Sequence, residues 1–247
     1  MQNELAASTR VVAYDRAGLG WSDPAPEPHD AQQSARDLHA ALQAAGIHSP
    51  YVVVGHSYGG LVVRAFADLY PDEVVGMALV DASHPDQWAR IPESNGGRTV
   101  AVGNQITGIL ARLGVVRLFD LSASLAAGLP ERQAAEMTAI LARSQAWSTS
   151  GGVLGLWEAR TRAQVNQARS LGGLPLVVLS ATERPDYGKE EMNAQQADLV
   201  TLSSNSLHLE VEGATHEALV ASREYALVVV DAILKIIEAV ETGKPLG

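Results

Sequence analysis

YVVVGHSYGG, residues 51–60, joins a β-branched apolar run to a tight turn and then to a helix. Val52, Val53 and Val54 suit a buried strand, and LVVRAFADLY, which follows at 61–70, repeats its apolar residues at helical spacing. Ser57 falls on the turn between them, in the frame Gly55-His56-Ser57-Tyr58-Gly59. This GxSxG pattern fits a strained strand-to-helix bend that presents a serine hydroxyl, with small residues two before and two after it so that strand and helix can approach closely. The flanking strand and helix are the context such a bend requires, and they carry more weight than the five residues alone.

These residues resemble the nucleophile turn of the α/β-hydrolase family. The resemblance implies an α/β fold: a mostly parallel sheet with flanking helices, here shortened at its N-terminal end, and an α-helical cap inserted into it. Upstream of the turn, residues 30–45 set Ala31, Ala35, Leu38 and Leu42 on one helical face, and Gly46 suits the stop. RVVAYD, residues 10–15, reads as a buried strand, and residues 3–8 as the end of a helix. Between this strand and the helix, RAGLGWSDPAPEP is a loop broken by Gly18, Gly20 and three prolines. Asp15, Arg16, Gly18, Gly20 and Ser22 resemble the D-x-x-G-x-G-x-S loop after the family's fourth strand. Asp15 and Arg16 are expected to pin that turn, and Arg16 is also a candidate for lining the site mouth and binding substrate.

Downstream, EVVGMALVD contains a second buried strand, MALV, which ends at Asp81. Strands alternating with helices imply a parallel sheet with right-handed crossovers, and functional groups are then expected at the carboxyl ends of the strands. From 85 to 171 the rhythm changes to helical pieces rich in Ala, Leu, Arg and Gln, holding Trp88, Trp147 and Trp157; Gly151-Gly152 reads as a bend between helices. The resemblance makes residues 85–170 the cap, and residues 1–84 and 171–247 the core. Strand character returns at 174–180 and 207–211, and SREYALVVVDAILKIIEAV closes the chain as an amphipathic helix.

A chain of 247 residues with a hydrophobic fraction of 47% can bury a full core as one layered unit. A formal charge of −10 and a pI near 5.1 argue against general affinity for nucleic acid or anionic membrane, since both reward basic patches. Without cysteine there is no disulfide framework, thiol nucleophile or thiolate metal site, and a cytoplasmic setting is expected. MQNELAASTR has neither the basic nor the apolar region of a secretory signal, and apolar runs such as ALVVVDAILKIIEAV are broken by charge short of a spanning length. No metal or organic cofactor is implied.

A serine hydroxyl attacks at neutral pH only with a base in hydrogen-bond reach. Of the seven histidines, His216 in EGATHEAL lies in a turn after the last strand and resembles the family's G-x-G-H turn, with Ala214 replacing the more usual glycine. His56 is expected to pack beneath the bend, and His84 to sit at the site rim as a substrate-binding residue. The acid that orients the imidazole is ambiguous. Many relatives carry it after the seventh strand in a G-x-x-D turn, but this chain has SATERPD there, with Arg184 where the aspartate would stand; Glu183 or Asp186 would serve through a shifted loop. Asp81 occupies the place after the sixth strand that some relatives use. Asp81 is favoured, with Asp186 as the alternative.

Charge developing on an ester oxygen needs preorganised donors, and the Tyr58 N–H is expected to supply one. The family's second donor comes from an H-G loop upstream of the first legible strand, and neither that loop nor the third strand is found in this sequence. A shortened product, a partner chain donating the strand, and a substitute donor from residues 15–21 are competing explanations. Loss of one such donor typically costs about 10²- to 10³-fold in rate, and an unpaired strand edge predicts a homodimer. The expected activity is a serine hydrolase cleaving carboxylic esters of small to medium apolar substrates through an acyl-enzyme. Serine at the bend argues against dehalogenation by an aspartate nucleophile. Lactone, carbon-carbon and haloperoxidase-like chemistry stay open, and the rival is a non-catalytic, ligand-binding degenerate hydrolase.

Overall fold

Four strands pair in parallel and in chain order: β1 (Tyr51–His56), β2 (Val74–Val80), β3 (Leu176–Glu183) and β4 (Ser206–Thr215). They come from a computed structural model that describes residues 1–91, 96–120, 123–186 and 188–246. Around the sheet lie α1 (Ala31–Ala44), α2 (Tyr58–Leu69), α3 (Gly96–Arg112), α4 (Glu131–Leu141), α5 (Ser144–Gly155), α6 (Lys189–Val200) and α7 (Arg223–Thr242).

Parallel strands covered on both faces are apolar throughout, and their period of two divides the side chains between two cores. Met77 and Leu79 of β2 and Leu176 and Val178 of β3 pack with Leu61 and Phe66 of α2 and Leu199 of α6. Ala78, Val80, Val177 and Leu179 pack against Val229, Ile233 and Ile236 of α7. The α1 helix starts where Asp30 Oδ1 accepts the Gln33 N–H at 2.9 Å, and the chain leaves it through Gly46 at φ +65°.

Two expectations are corrected. Residues 10–15 form no strand: they have no regular structure, and Val12 and Tyr14 are exposed. A strand is stabilised by the ladder beside it, and among the described residues no neighbouring strand pairs with this segment or with the outer edge of β1. Nor do Gly151 and Gly152 bend the chain, because both lie inside α5. A Cβ on Gly151 would stand 2.8 Å from the Ala101 carbonyl oxygen of α3, and one on Gly152 would stand 2.7 Å from Pro28 Cγ, so the pair permits close packing. The described part of the 85–170 stretch consists of helices joined by turns and short irregular links, without a strand, and residues 92–95 and 121–122 lie outside the described set.

The steric demand at the Ser57 bend also differs from the motif's symmetry. A Cβ at Gly55 would meet the Gly59 carbonyl oxygen at 2.5 Å and the Gly60 nitrogen at 2.7 Å, and one at Gly60 would meet Ala82 Cβ at 2.4 Å. At Gly59 it would enter open space. Backbone cannot yield as a flexible side chain can, so Gly55→Ala is expected to destabilise the fold by about 3 kcal/mol, whereas Gly59→Ala is expected to cost far less. Denaturant midpoints of the two variants measure the contrast.

Candidate active site

Three strand ends meet around Ser57. The chain leaves β1 with Ser57 at φ 54°, ψ −127°, a conformation costly for a residue with a Cβ. Backbone hydrogen bonds hold it: the Ser57 N–H donates to the Val80 carbonyl at 3.3 Å, and the Ser57 carbonyl accepts from Gly60 and Ser83, both at 3.0 Å. At the end of β2, Asp81 also has positive φ, 40°, with its N–H donating to the Leu179 carbonyl at 2.7 Å. His216 follows β4 directly.

Asp81 binds His216. Its Oδ2 lies 2.6 Å from His216 Nδ1, while Oδ1 accepts the Ala181 N–H at 3.2 Å. Arg184 clasps the same carboxylate with both terminal nitrogens, Nη2 on Oδ1 and Nη1 on Oδ2, and both side chains of this ion pair are buried. Burial alone would raise the Asp81 carboxyl. The His216 hydrogen bond, the Arg184 charge and the Ala181 N–H outweigh it and hold the group below the usual carboxylate range. With Nδ1 committed to Asp81, Nε2 is the imidazole nitrogen left for proton transfer.

His56 supports His216 from below. Its Nε2–H donates to the His216 carbonyl at 3.0 Å, and the two rings are tilted with centroids 4.4 Å apart. Burial, reinforced by the neighbouring His216, pushes His56 down to about 4. In the window from about pH 6.5 down to about pH 4 the unfolded chain therefore binds a proton at this residue that the folded chain does not, and stability falls as pH falls, by about 3 kcal/mol in all. His56→Gln keeps a donor for the His216 carbonyl without titrating. It is expected to flatten the pH dependence of the melting temperature across that window.

The other sequence candidates separate. Asp186 and Glu183 are exposed and form no hydrogen bond or ion pair with His216 among the described residues, and the carboxylate at His216 comes from the end of β2 instead. His84 is tied to its own loop: its Nδ1 accepts the Asp86 N–H at 3.1 Å, and burial together with Arg64 lowers its pKa. In the 15–22 loop Asp15 does pin the turn, accepting the Trp21 N–H at 3.0 Å on Oδ2 and the Ser22 hydroxyl at 2.6 Å on its carbonyl. Arg16 shares that task through its backbone, its carbonyl accepting the Leu19 N–H at 2.9 Å, while its guanidinium lies over the Tyr58 ring, 4.9 Å from the centroid. The Tyr58 ring is fixed in turn by Thr161 Oγ1, 3.2 Å from its hydroxyl, and by the edge of Trp157.

A sequence profile of the alpha/beta hydrolase fold matches residues 1–220. The chain belongs to the alpha/beta hydrolase family. Stretches of it are similar to RutD of Cronobacter sakazakii, which carries the name of a carbamate hydrolase, at 37% identity over 81 residues, 32% of this chain and 30% of that protein. YqjL of Bacillus subtilis is 34% identical over 85 residues, 34% of either chain. The matched part thus spans about a third of the length of each of these relatives. Among solved structures, a thermophilic esterase from Thermogutta terrifontis with malate bound superposes with a TM-score of 0.68 at 21% identity, covering 97% of this chain and 83% of that one. An epoxide hydrolase variant from Bacillus megaterium gives a TM-score of 0.68 at 16% identity, covering 94% and 86%. At such identities the shared feature is the fold.

Within this alpha/beta hydrolase, the Tyr58 N–H opens α2 and has no backbone acceptor among the described residues, as the first N–H groups of a helix do. Sequence reasoning missed the Arg184 contact with Asp81, although the cation standing where an acid was expected was its signal. Among the described residues no cluster of acidic, histidine or cysteine side chains is arranged to hold a metal ion. No helix among the described residues is long and apolar enough to cross a membrane.

Proposed function

We propose that this protein is a serine hydrolase that cleaves carboxylic esters of small to medium apolar substrates. The observation that carries the reading is the 2.6 Å contact of Asp81 with His216 Nδ1, on strand ends beside the strained bend that bears Ser57. Ser57 Oγ attacks the ester carbonyl while His216 Nε2 takes its proton, and Asp81 stabilises the imidazolium. The Tyr58 N–H receives the developing oxyanion. His216 then returns the proton to the leaving alcohol; water, deprotonated by the same imidazole, adds to the acyl carbonyl, and the acid leaves as the bond to Ser57 Oγ breaks and that oxygen takes the proton back from His216. The helical stretch between β2 and β3 serves as the cap. A cleft of about 490 Å³, lined by Leu125, Ala127, Gly128, Ala218 and Ser222 together with Thr215 and Glu217, the chain neighbours of His216, is the proposed apolar wall for the acyl or alcohol group.

One observation favours a second reading, a ligand-binding protein without turnover. Among the described residues Ser57 Oγ has no hydrogen bond to His216, and Tyr58 is the one oxyanion donor assigned. Catalytic hydrogen bonds often tighten only around bound substrate, so the test is chemical. Short-chain p-nitrophenyl esters, with a p-nitrophenyl carbamate alongside because of the similarity to RutD, are offered to the purified protein, and an alkyl fluorophosphonate is used to tag Ser57. Ester turnover with tagging at Ser57 supports the hydrolase. Ligand binding without turnover or tagging supports the second reading, and turnover of the carbamate alone replaces the substrate class.

A further inference from the structure

The α3 helix is built with its large side chains outward. Val102, Ile106 and Ile109, with Leu113 one residue past its end, recur at spacings of four, three and four, which puts them on one stripe, and each is between 51% and 72% exposed. Its inward face is Gly97, Ala101, Gly108 and Ala111, all buried. Those small residues bring α3 against α5, so that a Cβ on Gly108 would stand 2.9 Å from Ser148 Oγ. Leu118 and Phe119, 77% and 67% exposed, continue the apolar surface just beyond the helix. A soluble helix normally turns such residues to the core, and an exposed contiguous apolar face marks a place of contact.

Charge selects what the face meets. From 96 to 119 the chain has no aspartate or glutamate, while Arg98, Arg112 and Arg117 are exposed and none forms an ion pair among the described residues. In a chain of formal charge −10 this is a local basic patch that the average conceals. A second copy docking by two-fold symmetry would set one apolar stripe on the other and bring both sets of arginines together unneutralised. A lipid surface with anionic head groups satisfies both features, taking the apolar stripe at the acyl boundary and the arginines at the phosphates. The segment that follows Phe119 reaches Leu125, Ala127 and Gly128, which line the cleft beside His216.

We propose that the outer face of α3, with Leu118 and Phe119, docks on an anionic lipid surface and sets the cleft beside His216 near lipid-dissolved esters; only this last purpose rests on the hydrolase reading. The test uses the full chain carrying Ser57→Ala, so that binding is read without turnover, and large vesicles of phosphatidylcholine with or without phosphatidylglycerol. Cosedimentation is expected with the anionic vesicles. Ile106→Gln/Ile109→Gln should weaken it about 10-fold or more. Arg98→Gln/Arg112→Gln/Arg117→Gln should weaken it about 100-fold, near 5-fold per arginine, and remove the preference for phosphatidylglycerol. In the Ser57 background both sets should leave hydrolysis of a water-soluble ester unchanged. No sedimentation with either vesicle overturns the proposal, as does a dimer in light scattering that Ile106→Gln/Ile109→Gln dissolves, since the occupant is then a second copy. Vesicle binding by a chain that hydrolyses no ester would overturn the hydrolase reading and leave the docking face standing.

Discussion

Ser57→Ala is expected to lower kcat for a p-nitrophenyl ester by about 10⁴- to 10⁶-fold, the range found when a nucleophile acting as one unit with its base is removed. The fold should barely register the change. Ser57 Oγ has no hydrogen bond to lose among the described residues, and alanine brings the same Cβ to the positive-φ bend, so the stability difference should stay within about 0.5 kcal/mol. Matched melting curves beside a lost burst of nitrophenolate would place the defect in the chemistry. A variant that keeps wild-type turnover would show that the hydroxyl is a bystander and that any hydrolysis arises elsewhere on the molecule.

What could be read from the chain and what could not divide along a physical line. The β2 and β3 strands were legible because a parallel strand covered on both faces must be apolar at every position, as in MALV and LVVL. The bend at Ser57 and the turn at His216 were legible because they need particular residues at particular places. Residues 10–15 have the same β-branched character and still form no strand, because a strand is completed by its neighbour and composition is silent about neighbours. Gly151 and Gly152 were ambiguous for a related reason: glycine breaks helices and also lets two of them approach, and only the presence of Ala101 across the gap decides. The period of α3 marks a stripe of large residues at 102, 106, 109 and 113, but no periodicity says which side of a helix faces the core. Arg184 shows the same limit at the site, since its partner Asp81 lies 103 residues away.

Asp81→Asn is expected to lower kcat by about 10⁴-fold, as an amide can neither hold the imidazole in the productive tautomer nor stabilise its cation. Unlike the serine, this residue also bears on stability. Asparagine would leave the buried Arg184 guanidinium without its counter-charge, and breaking a buried pair from one side costs about 3 to 5 kcal/mol. The two losses can be separated. Asp81→Asn/Arg184→Met removes both charges, so the melting temperature should recover much of its fall while kcat stays at the level of the single variant. Asp186→Asn is expected to change neither quantity, because Asp186 is exposed and forms no hydrogen bond or ion pair with His216 among the described residues. If Asp186→Asn were instead the inactive protein, the loop after β3 would have to move to bring that carboxylate to His216, and Arg184 would have to leave Asp81 for it to do so. Recovery of kcat in the double variant would point the other way, to a site in which Asp81 serves only to neutralise Arg184.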